Sequence, residues 1–193
     1  MHTLSIIADN FSLVLVSFLL VVGFGTLVFF FSRYRRCPSD KILVIYGKNV
    51  GDGKSFKCIH RGAAFVWPIL QAYQYLDLTP IPIDIKLEGV PSRQKIRVNM
   101  PATVTIGIST KAGVMQNAAK CMLGMDLNQI RLIGQEIISG QMRVVVASMD
   151  IETLNSDRDL LIEKIVAGIE VELTKVGLRL ININIQNITW DSN

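Results

Sequence analysis

Imidazole is scarce in this chain, with His2 and His60 as its two histidines. A histidine-dependent nucleophilic site within the body must use His60, and no G-x-S-x-G, H-E-x-x-H or P-loop sequence accompanies it. Standing next to Arg61, His60 suits a surface or hydrogen-bonded role better than that of a base. Carboxylates support acid–base chemistry where two converge, but Asp157 and Asp159, like Glu170 and Glu172, are two residues apart on a helical pattern and point in different directions. The cysteines, Cys37, Cys58 and Cys121, show neither C-x-x-C spacing nor a paired framework, which suits a reducing compartment. These residues argue against a membrane-anchored hydrolase. No enzymatic activity, metal or cofactor is expected.

The stronger chemical signature is cationic and apolar. From Phe11 to Phe31 the chain runs 21 residues without a charge, and Arg33, Arg35 and Arg36 follow at once. At ~1.5 Å rise per residue such a run spans roughly 30 Å, the hydrocarbon thickness of a bilayer. A transmembrane helix is therefore predicted over 11–32, with Phe11, Leu15, Leu19, Phe24 and Phe31 along it. A cleavable secretory signal fits poorly, because residues 1–10 hold no Lys or Arg and the run ends in Phe29, Phe30 and Phe31 rather than small residues. Positive charge beside a span favours the cytoplasmic side. The three arginines thus predict a single-pass protein of the plasma or inner membrane, with residues 1–10 outside and everything from Cys37 on in the cytoplasm.

Part of the 50% hydrophobic content belongs to the anchor. About 157 of the 193 residues remain beyond it, enough for one domain with its own core. With the juxtamembrane arginines assigned to topology, little is left of the +4 charge, and no nucleic-acid partner is expected.

Periodicity places these residues on elements. Lys41 to Gly47 reads as a short buried strand, Lys48 to Lys54 with Gly51, Asp52 and Gly53 as a tight hairpin, and Phe56 to Ile59 as its return. Alternation from Tyr73 to Leu87 changes phase at Pro80, predicting a bulge or bend. After a turn over Gly89 to Ser92, Ile96 to Ser109 keeps period two, one face dry and one wet, with Pro101 suggesting an edge or bulge. Helical spacing follows in Ala112 to Leu123. It resumes after Asp126, with Leu127, Ile130, Ile133, Ile137, Val144 and Ala147 as the apolar stripe. Asp150 opens a further turn, and Asp157 opens a last helix with stripe Leu161, Ile162, Ile165, Ile169, Leu173 and Val176, stopped by Gly177. Leu178 to Trp190 is a closing strand. The class is α+β: mainly strands over 37–110, helices over 111–177, and the closing strand over 178–190.

The stretch RGAAFVWPILQAYQYLDLTPIPIDIKLEGVPSRQKIRVNMPATVTIGIS, from Arg61 to Ser109, resembles the flotillin branch of the SPFH, or band 7, superfamily of stomatins, prohibitins and flotillins. The later helices and the GLRLININIQNI strand sit where that family has theirs, so the resemblance covers 37–193. It implies an antiparallel sheet with packed helices and a non-catalytic membrane scaffold. Such a scaffold forms large homo-oligomers, a ring or cage among them, and organises lipids and client membrane proteins into microdomains. The alternative within the superfamily is a regulator of a membrane protease. Flotillins continue into a coiled coil rich in Glu and Ala. No heptad region occurs in these 193 residues, so a truncated chain or a short member is expected.

Two features beside the anchor bear on membrane contact. The block Phe65, Val66, Trp67, Pro68, Ile69 and Leu70 either dips into the cytoplasmic leaflet, where Trp is favoured, or forms the ordinary core of a small β-domain. Cys37, one residue past the arginines, is a position for S-acylation, against which stands an unmodified thiol. Cys58 and Cys121 are expected to be small buried hydrophobes. The stripe from Leu161 to Val176 faces either a core or a neighbouring copy.

Overall fold

The computed structural model describes residues 2–47, 56–67 and 70–190, with side chains from Leu15 on apart from Asn155. The predicted hairpin turn over Lys48 to Lys54, together with Pro68 and Ile69 and the side chain of Phe11, lies outside the described set. Helix α1 covers His2–Ser32. It begins well before Phe11, so most of the predicted outer segment is helical too. Its stretch Leu15–Ser32 is long and apolar enough to cross a membrane, and none of its residues is buried inside the protein. Thr26 Oγ1 donates to Gly23 O at 2.8 Å and Ser32 Oγ to Phe29 O at 3.0 Å. These hydroxyls are satisfied within the helix, as an apolar surrounding demands.

Strand β1, Tyr34–Gly47, follows α1 without a linker. The sequence places this strand from Lys41; it starts earlier because Tyr34, Arg35, Arg36 and Cys37 pair with Phe65, Ala64, Ala63 and Gly62. Strand β2 is correspondingly longer, Phe56–Phe65, and β3 is Gln71–Asp77. Both run antiparallel to β1 in a sheet ordered β2-β1-β3. The β1–β2 register breaks between Cys37 and Ile42, and Arg61 opposite takes φ 55°, so the sheet bends just below its junction with α1.

The phase change at Pro80 marks the passage between two sheets rather than a bulge in one strand. In the second sheet β4, Ile81–Pro91, and β6, Leu178–Ile185, flank β5, Arg97–Ile108, and a short β7, Thr189–Trp190, also pairs with β5. The predicted turn at Gly89 is instead a bulge inside β4, between Leu87 and Val90. Pro101 lies in the central strand, opposite Lys86, and not at an edge. It is tolerated where β6 has ended and β7 has not begun, and its carbonyl accepts Gln186 N at 2.9 Å. The closing strand is therefore two pieces. A register shift at β6 turns Ile181 outward and lets Leu178, Leu180, Ile183 and Ile185 pack on the core.

Helices α2, Val114–Met122, α3, Leu127–Ser148, α4, Ile151–Ser156, and α5, Arg158–Val176, follow the long strands. Asp126 and Gln129 form a reciprocal capping box on α3, at 2.7 and 3.0 Å. Such a cap contributes about 1 kcal/mol. The buried face of α3 is Ile130, Gly134, Ile138, Met142, Val145 and Val146. That is a correction: Ile133 and Ile137 are half-buried, and Leu127, Val144 and Ala147 are exposed. Gly134 shifts the stripe. A Cβ there would strike Ile106 Cδ1, so its missing side chain lets the helix approach the sheet, which leucine-type counting does not register.

On α5 the predicted stripe is buried at Leu161, Ile165, Ile169 and Leu173 and half-buried at Ile162 and Val176. It packs into the core and not onto a second copy. Gly177 ends α5 at φ 90°, and a Cβ there would collide with the backbone of Ala118. One core unites the inner face of the second sheet, the helices, and Ile42, Val44 and Leu76 of the first sheet. At roughly 1.5–3 kcal/mol per fully buried aliphatic side chain, it is the main source of stability. A second small core of Cys37, Leu43, Ile45 and Val66, with Tyr73 and Tyr75 packed on it, fills the other face of the first sheet.

Candidate membrane interface

The sequence of α1 ends in three phenylalanines, and two of them organise the junction. Arg33 N donates to Phe30 O at 3.2 Å, tightening the last turn, and Val66 N donates to Arg33 O at 3.4 Å, tying the end of β2 to the end of α1. Phe30 stacks on Phe65 with ring centroids 6.0 Å apart and planes at 29°. Phe65 meets Trp67 edge-on at 5.9 Å. Phe30 is two residues, roughly 3 Å along the axis, from the end of α1, so the stacking sets Phe65 beside the last turn of the helix. The aromatic surface of the span continues onto the domain.

The described residues of the predicted block do not all face the same way. Phe65 is the last residue of β2, and Val66, 5% exposed, belongs to the small core, where it packs with Cys37, Leu43 and Ile45. Val66 as a membrane-contacting residue is thus corrected: backbone alternation turns it inward while Phe65 and Trp67 turn out. Trp67 is 59% exposed, and Leu70 is exposed beside it. Gln71 closes the turn, its Oε1 accepting Trp67 N at 3.2 Å and its own N–H donating to Trp67 O at 3.0 Å.

The three arginines divide as well. Arg33 lies over the Phe29 ring at 5.3 Å, and Arg35 over the Tyr73 ring at 5.2 Å. Arg36 is exposed, and its carbonyl accepts Tyr75 OH at 3.3 Å. Strand alternation sends Arg36 to the opposite side from Arg35. A cavity of about 250 Å³ is lined by Arg33, Arg35, Val66, Gln71, Ala72 and Tyr73. The sequence pattern identified the cations but not Tyr73 and Gln71, which reach the same place from β3; only the pairing of β3 with β1 brings them there.

Cys37 is buried, with Sγ 3.1 Å from Lys41 O and 3.3 Å from Ile59 O. Its thiol donates inward, so S-acylation there requires the strand pair to open, which favours the unmodified thiol. Cys121, expected inside, is exposed on α2. Cys58 is partly buried against Met115 O, and burial pushes its thiol up to about 11.

Three of the residues weighed for catalysis, His60, Asp157 and Glu172, hold structural posts. His60 Nδ1 is 3.3 Å from Lys41 O, a hydrogen bond in which the ring N–H donates to the backbone. Asp157 caps α5 by accepting Leu160 N at 3.0 Å, and Glu172 pairs with Lys175 at 2.6 Å. The Thr79 hydroxyl and backbone N–H, both donating to Asp77, hold that carboxyl below its usual range, with Lys41 adding to the effect. Among the described residues no three His, Cys, Asp or Glu side chains gather where they could hold a metal.

An apolar helix leading without a linker into an α+β domain, with an aromatic and cationic junction between them, defines the class of this protein. The chain belongs to the SPFH domain / Band 7 family, whose model matches residues 35–193. It is similar to Flotillin-like protein FloT of Bacillus subtilis (strain 168), 24% identical over 181 residues, covering 90% of this chain and 35% of that protein. Flotillin-like protein 4 of Medicago truncatula is 27% identical over 158 residues, 80% of this chain and 32% of its own length. Human Flotillin-1 is 24% identical over 131 residues, 67% and 31% of the two chains. The chain spans about a third of the length of these relatives. It is a flotillin-like member of the superfamily.

Proposed function

We propose that this protein is a flotillin-like, non-catalytic scaffold that assembles into homo-oligomers on the cytoplasmic face of the plasma or inner membrane and organises lipids and membrane proteins into microdomains. The observation that carries this reading is the junction itself. A single span alone leaves a domain free to swivel, whereas stacking of Phe30 on Phe65 joins span and domain at a second point. A held orientation lets each copy offer the same edge to its neighbour. Many weak lateral contacts between copies confined to two dimensions then add through effective concentration. Arg33, Arg35 and Arg36 beside the apolar run support the cytoplasmic placement of the domain, and exposed Phe65, Trp67 and Leu70 support its contact with the leaflet.

Particle imaging and native electrophoresis of the detergent-extracted full chain test the assembly. A large closed or extended homo-oligomer is expected, and a population of single copies at all concentrations removes the scaffold reading.

A further inference from the structure

We infer that the cavity between the end of α1 and β3 is a seat for the phosphate of an anionic phospholipid headgroup. The inference rests on the membrane placement proposed above and gives it a defined ligand. Two guanidinium groups, those of Arg33 and Arg35, line a half-open space of about 250 Å³. Neither has a carboxylate within ion-pair distance among the described residues, whose salt bridges lie at Arg93–Asp150 and Glu172–Lys175. Arg33 Nε is buried and without a hydrogen-bond partner. A buried, unpartnered donor on a cation is a costly arrangement, and the same Arg33 side chain carries one of the two charges that line the cavity.

The two side chains are also held in place beforehand. Arg33 lies over Phe29 and Arg35 over Tyr73, contacts that restrain both guanidinium groups. The planar fork of arginine matches two phosphate oxygens at once. Arg33 is the first residue past Ser32, where the apolar helix ends, so the cavity lies at headgroup depth for a lipid whose acyl chains run along α1. Exposed Phe31 and Trp67 offer apolar surface to those chains. Two uncompensated positive charges favour a headgroup of net negative charge over a zwitterionic one.

The full chain in nanodiscs of mixed phosphatidylcholine and phosphatidylglycerol, analysed by native mass spectrometry for retained lipid, tests this. Wild type is expected to retain phosphatidylglycerol preferentially. R33Q and R35Q should each lose that preference by more than the about fivefold that one diffuse surface charge accounts for. R36Q, whose arginine does not line the cavity, should stay within that fivefold, and R33K, keeping the charge without the fork, should recover only the diffuse part. Equal losses in R33Q, R35Q and R36Q overturn the seat in favour of a diffuse positive surface. Release of the lipid by millimolar inorganic phosphate overturns the lipid as its occupant in favour of a free anion. Resistance to alkaline extraction is read in parallel. Failure of wild type to stay in the membrane overturns the proposed placement, whereas integrated protein with no lipid preference overturns the seat alone.

Discussion

Phe30, in the last turn of α1, stacks on Phe65, the last residue of β2, at 6.0 Å between centroids. Chain connectivity through Arg33 gives one link between helix and domain, and this pair gives another that is distant in sequence. The position of Phe65 at the level of the helix end follows from the stacking, and the position of Trp67 follows from Phe65.

Trp67 should therefore report the bilayer. Trp67 and Trp190 are the two tryptophans, so W190F leaves Trp67 alone. In bilayers with bromine on the upper acyl carbons, the W190F chain should be strongly quenched, and the W67F chain, emitting from Trp190, should not. Equal quenching of the two would remove Trp67 from the interface.

Phe65→Ala should loosen the joint while leaving the domain folded. Phe65 touches Phe30 and Trp67 outside both cores, and each aromatic pair contributes about 0.5–1.5 kcal/mol. Spin-label distances between α1 and β5 should broaden in F65A. Thermal unfolding of the domain should lose no more than the about 0.5–1.5 kcal/mol of the Phe65–Trp67 pair, because the Phe30 pair lies between span and domain and Phe65 belongs to neither core. An unchanged, narrow distance distribution would show that the pair does not hold the domain.

Much of the fold was legible because alternation in β4 and β5 and the caps at Asp126 and Asp157 are local signals. What escaped depends on partners distant in sequence. Residues 34–40 look like a linker until Gly62 to Phe65 arrive to pair with them, and Cys37 looks accessible until the same pairing buries it. Arg33 and Arg35 were visible as charges, but the cavity they line also needs Tyr73, brought alongside by β3. Exposure of Cys121 on a short helix had no signal beyond its chemistry, which usually favours burial.

The register of α3 gives a sharp energetic contrast. Ile138 is fully buried and Val144 is 64% exposed, although both fall within one apolar-looking run. Ile138→Ala should cost about 2–5 kcal/mol through lost burial and a residual cavity. Val144→Ala should fall within about 0.5 kcal/mol of wild type. Chemical denaturation of the two variants decides it, and reversed costs would restore the stripe drawn through Ile133, Ile137 and Val144.

The three thiols differ in access, and that difference reports fold and topology together. Alkylation needs thiolate and access, so a maleimide at neutral pH should label Cys121 first, with Cys37 and Cys58 reacting fully after unfolding. A membrane-impermeant maleimide should reach Cys121 in intact cells after permeabilisation and not before, if the domain is cytoplasmic. Cys58 adds a pH dependence. Its folded pKa is raised from 9.0 to about 11 by burial, so the folded state favours the neutral thiol. The stabilisation is fully present below the unfolded pKa of 9.0 and is lost as pH rises through the folded value of about 11. Melting temperatures of wild type should consequently fall more steeply across that window than those of Cys58→Ala, which has no proton to lose there. Parallel curves would mean that the Cys58 thiol is as accessible to water in the folded chain as in the unfolded one.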